Sequence, residues 1–326
     1  MRDRLNRTID YLRVSVTDRC NFRCAYCMPP EGVKLLDHSE ILSYEEMLRI
    51  ISTLSKCGIR KIRITGGEPL VRKGITGFIR EIAQLPEISD ISLTTNGSLL
   101  AAMAADLKAA GLNRVNISLD TVDACKFADI TGRNKLQATL KGLQSALAVG
   151  LHPVKINAVL TEAFSEADLA YFVDQVYNYP ISVRFIEYMP IGGSRIGPGL
   201  TIEEVKHLLN KAGGGLLEPA YAPQGNGPAR YYRLPKAKGT FGFITPISEH
   251  FCNSCNRIRL TADGKLKPCL LSDNEIDIKT AIRAGAGENE IADIFLRAIG
   301  EKPSQHSLCK SAGHPDFRRQ MSQIGG

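Results

Sequence analysis

Cys20, Cys24 and Cys27 fall within eight residues, with three and then two residues between them. A span that short folds as a loop and turns all three sulfurs toward one centre. Thiolates are soft ligands that select iron–sulfur clusters, zinc or copper(I) over hard cations. A closed zinc site takes four protein ligands, and the stretch offers no fourth nearby. Three ligands leave one coordination position for a group that is not protein. The spacing therefore favours an iron–sulfur cluster with one open iron over a zinc ion completed from elsewhere.

Cys252, Cys255 and Cys269 form a second trio, with two and then thirteen residues between them. Here His250 adjoins the pair and could complete a Cys₃His zinc site, so iron–sulfur and zinc both stay open. Arg257 and Arg259 lie between the second and third cysteines. Strand alternation puts both on one face, and paired guanidiniums suit a phosphate chain through bidentate, charge-assisted bonds. A solvated basic strand is the plainer alternative, and the adjacent metal site shifts the balance toward anion binding. Cys57 and Cys125 stand alone as core or surface thiols. Cys309 also stands apart, with no assigned role.

Other segments carry polar groups of the same kind. Gly66-Gly67-Glu68-Pro69 joins two glycines, which let backbone approach a ligand closely, to a carboxylate that can take an ammonium group; a plain tight turn is the alternative. Thr94-Thr95-Asn96-Gly97, Ser118 with Asp120, Lys155 with Asn157, and Glu187 with Met189 complete the set. The tail Met321–Gly326 follows Arg318 and Arg319. Such Gly-Gly ends ordinarily fray, but glycines also thread narrow sites.

The elements that must position these groups alternate. Strands are expected at Leu12–Val16, Ile62–Thr65, Ile91–Thr95, Val115–Leu119, Val154–Val159 and Val183–Ile186. Helical period fits Ile75–Ala83, Leu99–Ala110 and Leu136–Val149. Ser43-Tyr44-Glu45-Glu46 is a capping box ahead of Met47, Ile50, Ile51 and Leu54, and Ser165 and Thr201 are further N-caps. Six βα units predict an α/β fold, a partial (βα)6 TIM-type barrel two units short of closure. The polar groups fall at or just past the strand carboxyl ends, the active face of such barrels. From about residue 212, Gly213-Gly214-Gly215 and Pro219–Pro228 interrupt the rhythm. Short strands follow at Arg230–Leu234, Gly242–Ile244, Arg257–Leu260 and Lys265–Lys267, with Asp263-Gly264 as a hairpin turn. The expected division is a barrel over 1–211 and a β-containing C-terminal extension over 212–326.

Composition bounds the function. A chain of 326 residues that is 44% hydrophobic and 23% charged is globular, with ample core. It has no apolar run near the ~20 residues that span a bilayer, and Met1–Asp10 lacks the apolar stretch of a signal peptide. The expectation is the cytoplasm, where nine cysteines serve metals more than disulfides. A net charge of +7 favours an anionic ligand but is too diffuse to argue for nucleic acid.

Cys20-x-x-x-Cys24-x-x-Cys27 followed by Gly66-Gly67-Glu68-Pro69 resembles the radical S-adenosylmethionine (SAM) superfamily. The second trio, the paired arginines and the Gly-Gly end further resemble the GTP 3′,8-cyclases of molybdenum cofactor biosynthesis, from about Leu12 to Gly326. That resemblance implies two [4Fe–4S] clusters, on Cys20, Cys24 and Cys27 and on Cys252, Cys255 and Cys269, so it decides the second site for iron. It implies SAM contacts at Tyr26, Gly67, Glu68, Ser118 and Met189. It implies GTP contacts at Arg13, Arg63, Thr94, Lys155, Arg257, Ile258 and Arg259. Arg257, Arg259, Gly325 and Gly326 are implied in catalysis, with the tail reaching into the site. The implied reaction cleaves SAM to a 5′-deoxyadenosyl radical. That radical removes hydrogen from C3′ of GTP, and C3′ then bonds to guanine C8. A homodimer, an external electron donor and a downstream cyclic pyranopterin monophosphate synthase are implied partners. Two other classes compete: a peptide-modifying enzyme of the superfamily, which needs neither the paired arginines nor the Gly-Gly end, and a zinc-stabilised nucleotide-binding module.

Overall fold

The structure, a computed structural model, describes residues 1–29, 31–191, 195–225, 227–306 and 319–325. The six expected strands form as β1 (Tyr11–Ser15), β2 (Lys61–Thr65), β3 (Asp90–Thr95), β4 (Arg114–Ser118), β5 (Lys155–Leu160) and β6 (Ser182–Glu187). Each pairs parallel with the next.

Helices cover the outer face. α1 (Tyr44–Lys56) begins at the expected box: the Ser43 hydroxyl accepts from the Glu46 N–H at 3.1 Å, and the Glu46 carboxylate accepts from the Ser43 N–H at 2.7 Å. α2 (Ile75–Ala83) and α3 (Leu100–Ala109) follow the expected spans. α4 (Ala124–Thr131) was not anticipated; α5 (Leu136–Ala148) was. α6 (Glu166–Asn178) and α7 (Ile202–Ala212) start at the Ser165 and Thr201 boxes.

The C-terminal strands are β7 (Glu218–Pro219), β8 (Arg230–Arg233), β9 (Thr240–Ile244), β10 (Arg257–Leu260), β11 (Lys265–Lys267) and β12 (Ile276–Asp277), followed by α8 (Lys279–Arg283) and α9 (Glu288–Gly300). They join the same sheet, whose order is β12-β11-β10-β1-β2-β3-β4-β5-β6-β9-β8-β7. β10 runs parallel to β1, and β9 runs parallel to β6. The partial barrel of six units thus gains one parallel strand at each edge. β9 and β10 are not neighbours, so it stays open on that side.

Alternation divides each strand between two environments. Leu12, Val14, Ile62, Ile64, Leu93, Ile117, Ile156 and Phe185 belong to the fully buried core against the helices. The intervening positions are polar: Arg13 stands opposite Arg63 and Arg259, Thr94 opposite Asn116, and Asn157 opposite Arg184. A closed barrel of this type normally fills its interior with branched apolar side chains. This one lines its interior with hydrogen-bonding and cationic groups.

Candidate active site

The first cysteine loop leaves β1 and is seated by α4. The Arg23 and Ala25 N–H groups donate to the carbonyls of Thr131 and Ile130, each at 2.8 Å. Phe22 packs edge-on against Phe127, with ring centroids 5.9 Å apart. On the other side, the Gly67 and Glu68 N–H groups donate to the carbonyls of Thr17 and Arg19, each at 2.8 Å. A Cβ on Gly66 or Gly67 would lie 2.7 or 2.4 Å from those same carbonyl oxygens. The close approach that requires these glycines is therefore to the start of the cysteine loop, a tighter reason than the ligand contact expected from sequence.

Burial raises the thiol pKa of Cys20, to about 11, and of Cys24 and Cys27, which the neighbouring sulfurs push further up. Three such thiols become thiolates only with a positive centre among them. Among the described residues, neither cysteine trio has its sulfurs all within 4.8 Å of one another. One tetrahedral zinc would draw thiolates to about 3.8 Å. The donor sets suit a polynuclear cluster better than a single ion. His250 lies with Cys252 and His306, its Nδ1 3.0 Å from His306 Nε2, rather than closing a four-ligand set with all three cysteines.

Around the first trio, Tyr26 donates to Asp120 at 2.7 Å, and Asp120 also accepts from the Val159 N–H at 2.8 Å. Burial pushes Asp120 up to about 6. Glu68 is 1% exposed and accepts from the Leu70 N–H, the Thr95 hydroxyl and the Asn96 N–H at 3.0, 2.8 and 2.7 Å. Burial outweighs these donors and raises it to about 7. It is a braced carboxylate at the junction of two loops.

One cavity of about 310 Å³ has both cysteine trios on its wall. Tyr26, Gly67, Glu68, Ser118, Met189, Arg13, Arg63, Thr94, Arg257 and Arg259 also line it. Three expected residues, Ile258, Lys155 and Gly325, are not on its wall. Ile258 faces the opposite way and is part of the hydrophobic core. Lys155 is 2% exposed, and its ammonium donates to the Gln224 carbonyl at 2.8 Å and the Pro223 carbonyl at 3.5 Å.

Cations crowd this interior. Burial and the neighbouring arginines lower Arg13; burial brings Arg63 and Arg259 each to about 10 and Lys155 to about 6. The buried Arg63 Nη2, Arg184 Nε, Thr94 hydroxyl and Tyr11 hydroxyl have no hydrogen-bond partner among the described residues. Buried polar groups normally have partners. Orphaned donors set among crowded, mutually repelling cations suit a polyanion.

Sequence reasoning missed Arg184, whose guanidinium donates to the side-chain carbonyls of Asn116 and Asn157. It also missed Lys302, whose ammonium donates to the carbonyls of Arg257 and Pro268 at 2.7 and 2.8 Å. The inward alternation of β6 was a signal for Arg184. Nothing local marks Lys302.

The tail reaches the same space, where Met321 and Ser322 line the cavity. Arg259 and Arg13 donate to the Gly325 carbonyl at 2.7 and 3.3 Å. Gly325 has φ +68°, and a Cβ there would lie 2.3 Å from the Thr65 hydroxyl. Gly326 and Cys309 lie outside the described residues. Cys57 is partly buried against the core, and Cys125 is exposed.

The radical SAM superfamily model matches residues 14–176, and the model for Molybdenum Cofactor Synthesis C matches residues 181–308. A protein of Desulforamulus reducens named GTP 3′,8-cyclase is 54% identical over all of both chains. This chain belongs to the GTP 3′,8-cyclase family of radical SAM proteins. A second GTP 3′,8-cyclase, from Listeria monocytogenes, is 44% identical over all of this chain and 99% of its own. In fold, this family member matches Streptococcus suis SuiB bound to S-adenosylmethionine with a TM-score of 0.62, at 16% identity over 88% of this chain and 68% of SuiB. It matches anSMEcpe with bound AdoMet at 0.57, with 16% identity over 90% and 81%. No helix among the described residues is long and apolar enough to cross a membrane.

Proposed function

We propose that the chain converts GTP to (8S)-3′,8-cyclo-7,8-dihydroguanosine 5′-triphosphate, the first step of molybdenum cofactor biosynthesis, using SAM and two [4Fe–4S] clusters. The observation that carries this is the single cavity with two three-cysteine sites and a cationic wall between them, in a chain of this family. Cys20, Cys24 and Cys27 would hold the SAM-binding cluster; Cys252, Cys255 and Cys269 would hold the auxiliary one. When bound, the first cluster supplies the electron that splits SAM into methionine and a hydrogen-abstracting radical.

The protein's own part is to place and enclose. Tyr26, Gly67, Glu68, Ser118 and Met189, on the wall of the shared cavity, are assigned to SAM, and Glu68 offers a braced carboxylate for its amino group. Arg13, Arg63, Thr94, Arg257 and Arg259 supply donors for the nucleotide. Ile258, packed in the core between the paired arginines, sets the face they present. Lys155 joins them when phosphate oxygens replace the carbonyls of Pro223 and Gln224. Fixing the triphosphate at several points holds C3′ at one position, which radical chemistry demands because a mobile substrate is attacked elsewhere. Gly325, which accepts from Arg259 through its carbonyl, and Gly326 are assigned to catalysis as the end of the tail.

The barrel is assigned to 1–211 and the extension to 212–326. A homodimer, a cytoplasmic location, an external electron donor and a downstream cyclic pyranopterin monophosphate synthase go with this function. The test is anaerobic reconstitution with SAM, a strong reductant and GTP, followed by mass spectrometry. The expected result is 5′-deoxyadenosine together with the cyclised nucleotide. 5′-Deoxyadenosine with intact GTP would move the substrate elsewhere, and zinc without iron would overturn the enzyme.

A further inference from the structure

Residues far from the cysteine motifs in sequence hold the second trio together. Arg7 is 6% exposed and paired with Asp3. Its guanidinium donates to the carbonyls of Cys252 at 3.0 Å and Pro303 at 2.9 Å, and more weakly to those of Lys302 and Ser304 at 3.4 Å. Lys302 is 9% exposed, and its ammonium ties the carbonyl of Arg257 to that of Pro268. Three of these ties land on a cysteine or its near neighbour in the chain, at Cys252, Arg257 and Pro268, and the rest fasten Arg7 to the segment that carries Lys302. An ammonium has three N–H donors. Two are used here, no third acceptor occurs among the described residues, and Lys302 lines the cavity.

We infer that Lys302, braced by Arg7, is the positioning residue of the auxiliary cluster. It holds the segments carrying Cys255 and Cys269 at cluster spacing, and it presents its charge and remaining N–H to the cluster or to the group on its open iron. The inference rests on the two-cluster reading above. Hydrogen bonds and nearby positive charge favour the more negative, reduced cluster and so raise its potential. Lys302 is buried, its backbone is anchored by Arg7, and its side chain cannot swing to water, so charge and position are fixed together.

The test uses the full chain with Cys20, Cys24 and Cys27 replaced by Ala, so that the auxiliary cluster alone is observed. Lys302→Met and Lys302→Arg are introduced into that parent and into the natural chain. In the parent, about four iron atoms per chain are expected. Lys302→Met should lose at least half of that iron, and the remainder should titrate, by electron paramagnetic resonance, at a lower potential than the parent. Lys302→Arg should keep most of the iron and restore the potential. In the natural chain, Lys302→Met should fall from about eight to about four iron atoms, while SAM still perturbs the first cluster's spectrum, which reports an intact fold. Parental iron and parental potential in Lys302→Met would overturn the inference. So would equal loss of iron in Lys302→Met and Lys302→Arg, because the charge would then be immaterial. A parent that binds no iron would sink the two-cluster reading itself, a separate outcome.

Discussion

Arg259 donates to the carbonyl oxygen of Gly325 at 2.7 Å, joining a strand beside the second cysteine trio to the tail. The backbone there has φ +68°, and the space beside it is filled by Thr65 and Ser15. Gly325→Ala would therefore meet both left-handed strain and a clash. The tail should withdraw by a fraction of its length without disturbing either cysteine trio. Turnover of GTP is expected to fall about a hundredfold, the usual cost of an ångström-scale misplacement, with iron content unchanged. Removing Gly325 and Gly326 together should abolish turnover. Iron analysis beside product formation checks both.

Arg63 and Arg184 test the polyanion reading. Each is buried and has one nitrogen without a partner among the described residues. A hydrogen bond to a charged group contributes about 1.5–3 kcal/mol. Arg63→Gln or Arg184→Gln should thus raise the KM for GTP by roughly tenfold to a hundredfold, with a smaller change in kcat. Guanosine lacks the phosphates and should bind the wild type and either variant alike. Steady-state kinetics and equilibrium binding separate these effects.

The two cysteine sets should differ in reactivity once iron is removed. Burial raises Cys20 to about 11, whereas Cys255, although burial raises it, is pulled down to about 6 by Arg257 and Lys302. At pH 7 the cluster-free chain therefore carries Cys255 as thiolate and Cys20 as thiol. The thiolate is the nucleophile. Limiting iodoacetamide, followed by peptide mapping, should modify Cys255 well before Cys20. Equal labelling would mean that the local field around Cys255 is weaker than its neighbours imply.

Local pattern carried most of the parallel barrel. Apolar and β-branched runs placed its strands and capping boxes marked helix starts, because each depends on residues within one turn or one strand of each other. α4 escaped because Ala124–Thr131 is short and its buried Phe127 and Ile130 give little period to read. The pairing of β10 with β1 and of β9 with β6 was also illegible, since register between strands that are not consecutive in the chain, Tyr11 with Arg257 and Ser182 with Thr240, leaves no local mark. The same holds for the site. Cysteine spacing is a short-range signal and announced both trios. Lys302 and Arg184 act through contacts made only after the chain has closed on itself.

Arg319 anchors the tail before it enters the cavity, pairing through two nitrogens with Asp263 at 3.0 and 2.8 Å and also with Glu275. Burial alone would raise the Asp263 carboxyl, but the hydrogen bonds from Arg319 and Thr261 outweigh it and hold it below the usual carboxylate range. A depressed carboxylate stabilises the fold above its unfolded pKa of about 3.9, and that stability is lost as pH falls through the lower folded value. Asp263→Asn should therefore melt below the wild type at pH 7, by the equivalent of about 1.5–3 kcal/mol. The gap should narrow below about pH 4 and close as the wild-type carboxyl itself protonates. Glu275 remains to hold Arg319, so the single variant should keep part of its turnover, and Asp263→Asn with Glu275→Gln should approach the loss seen in Gly325→Ala. Calorimetry across pH and kinetics at neutral pH check the two halves. A melting gap independent of pH would show that Asp263 acts through shape rather than charge.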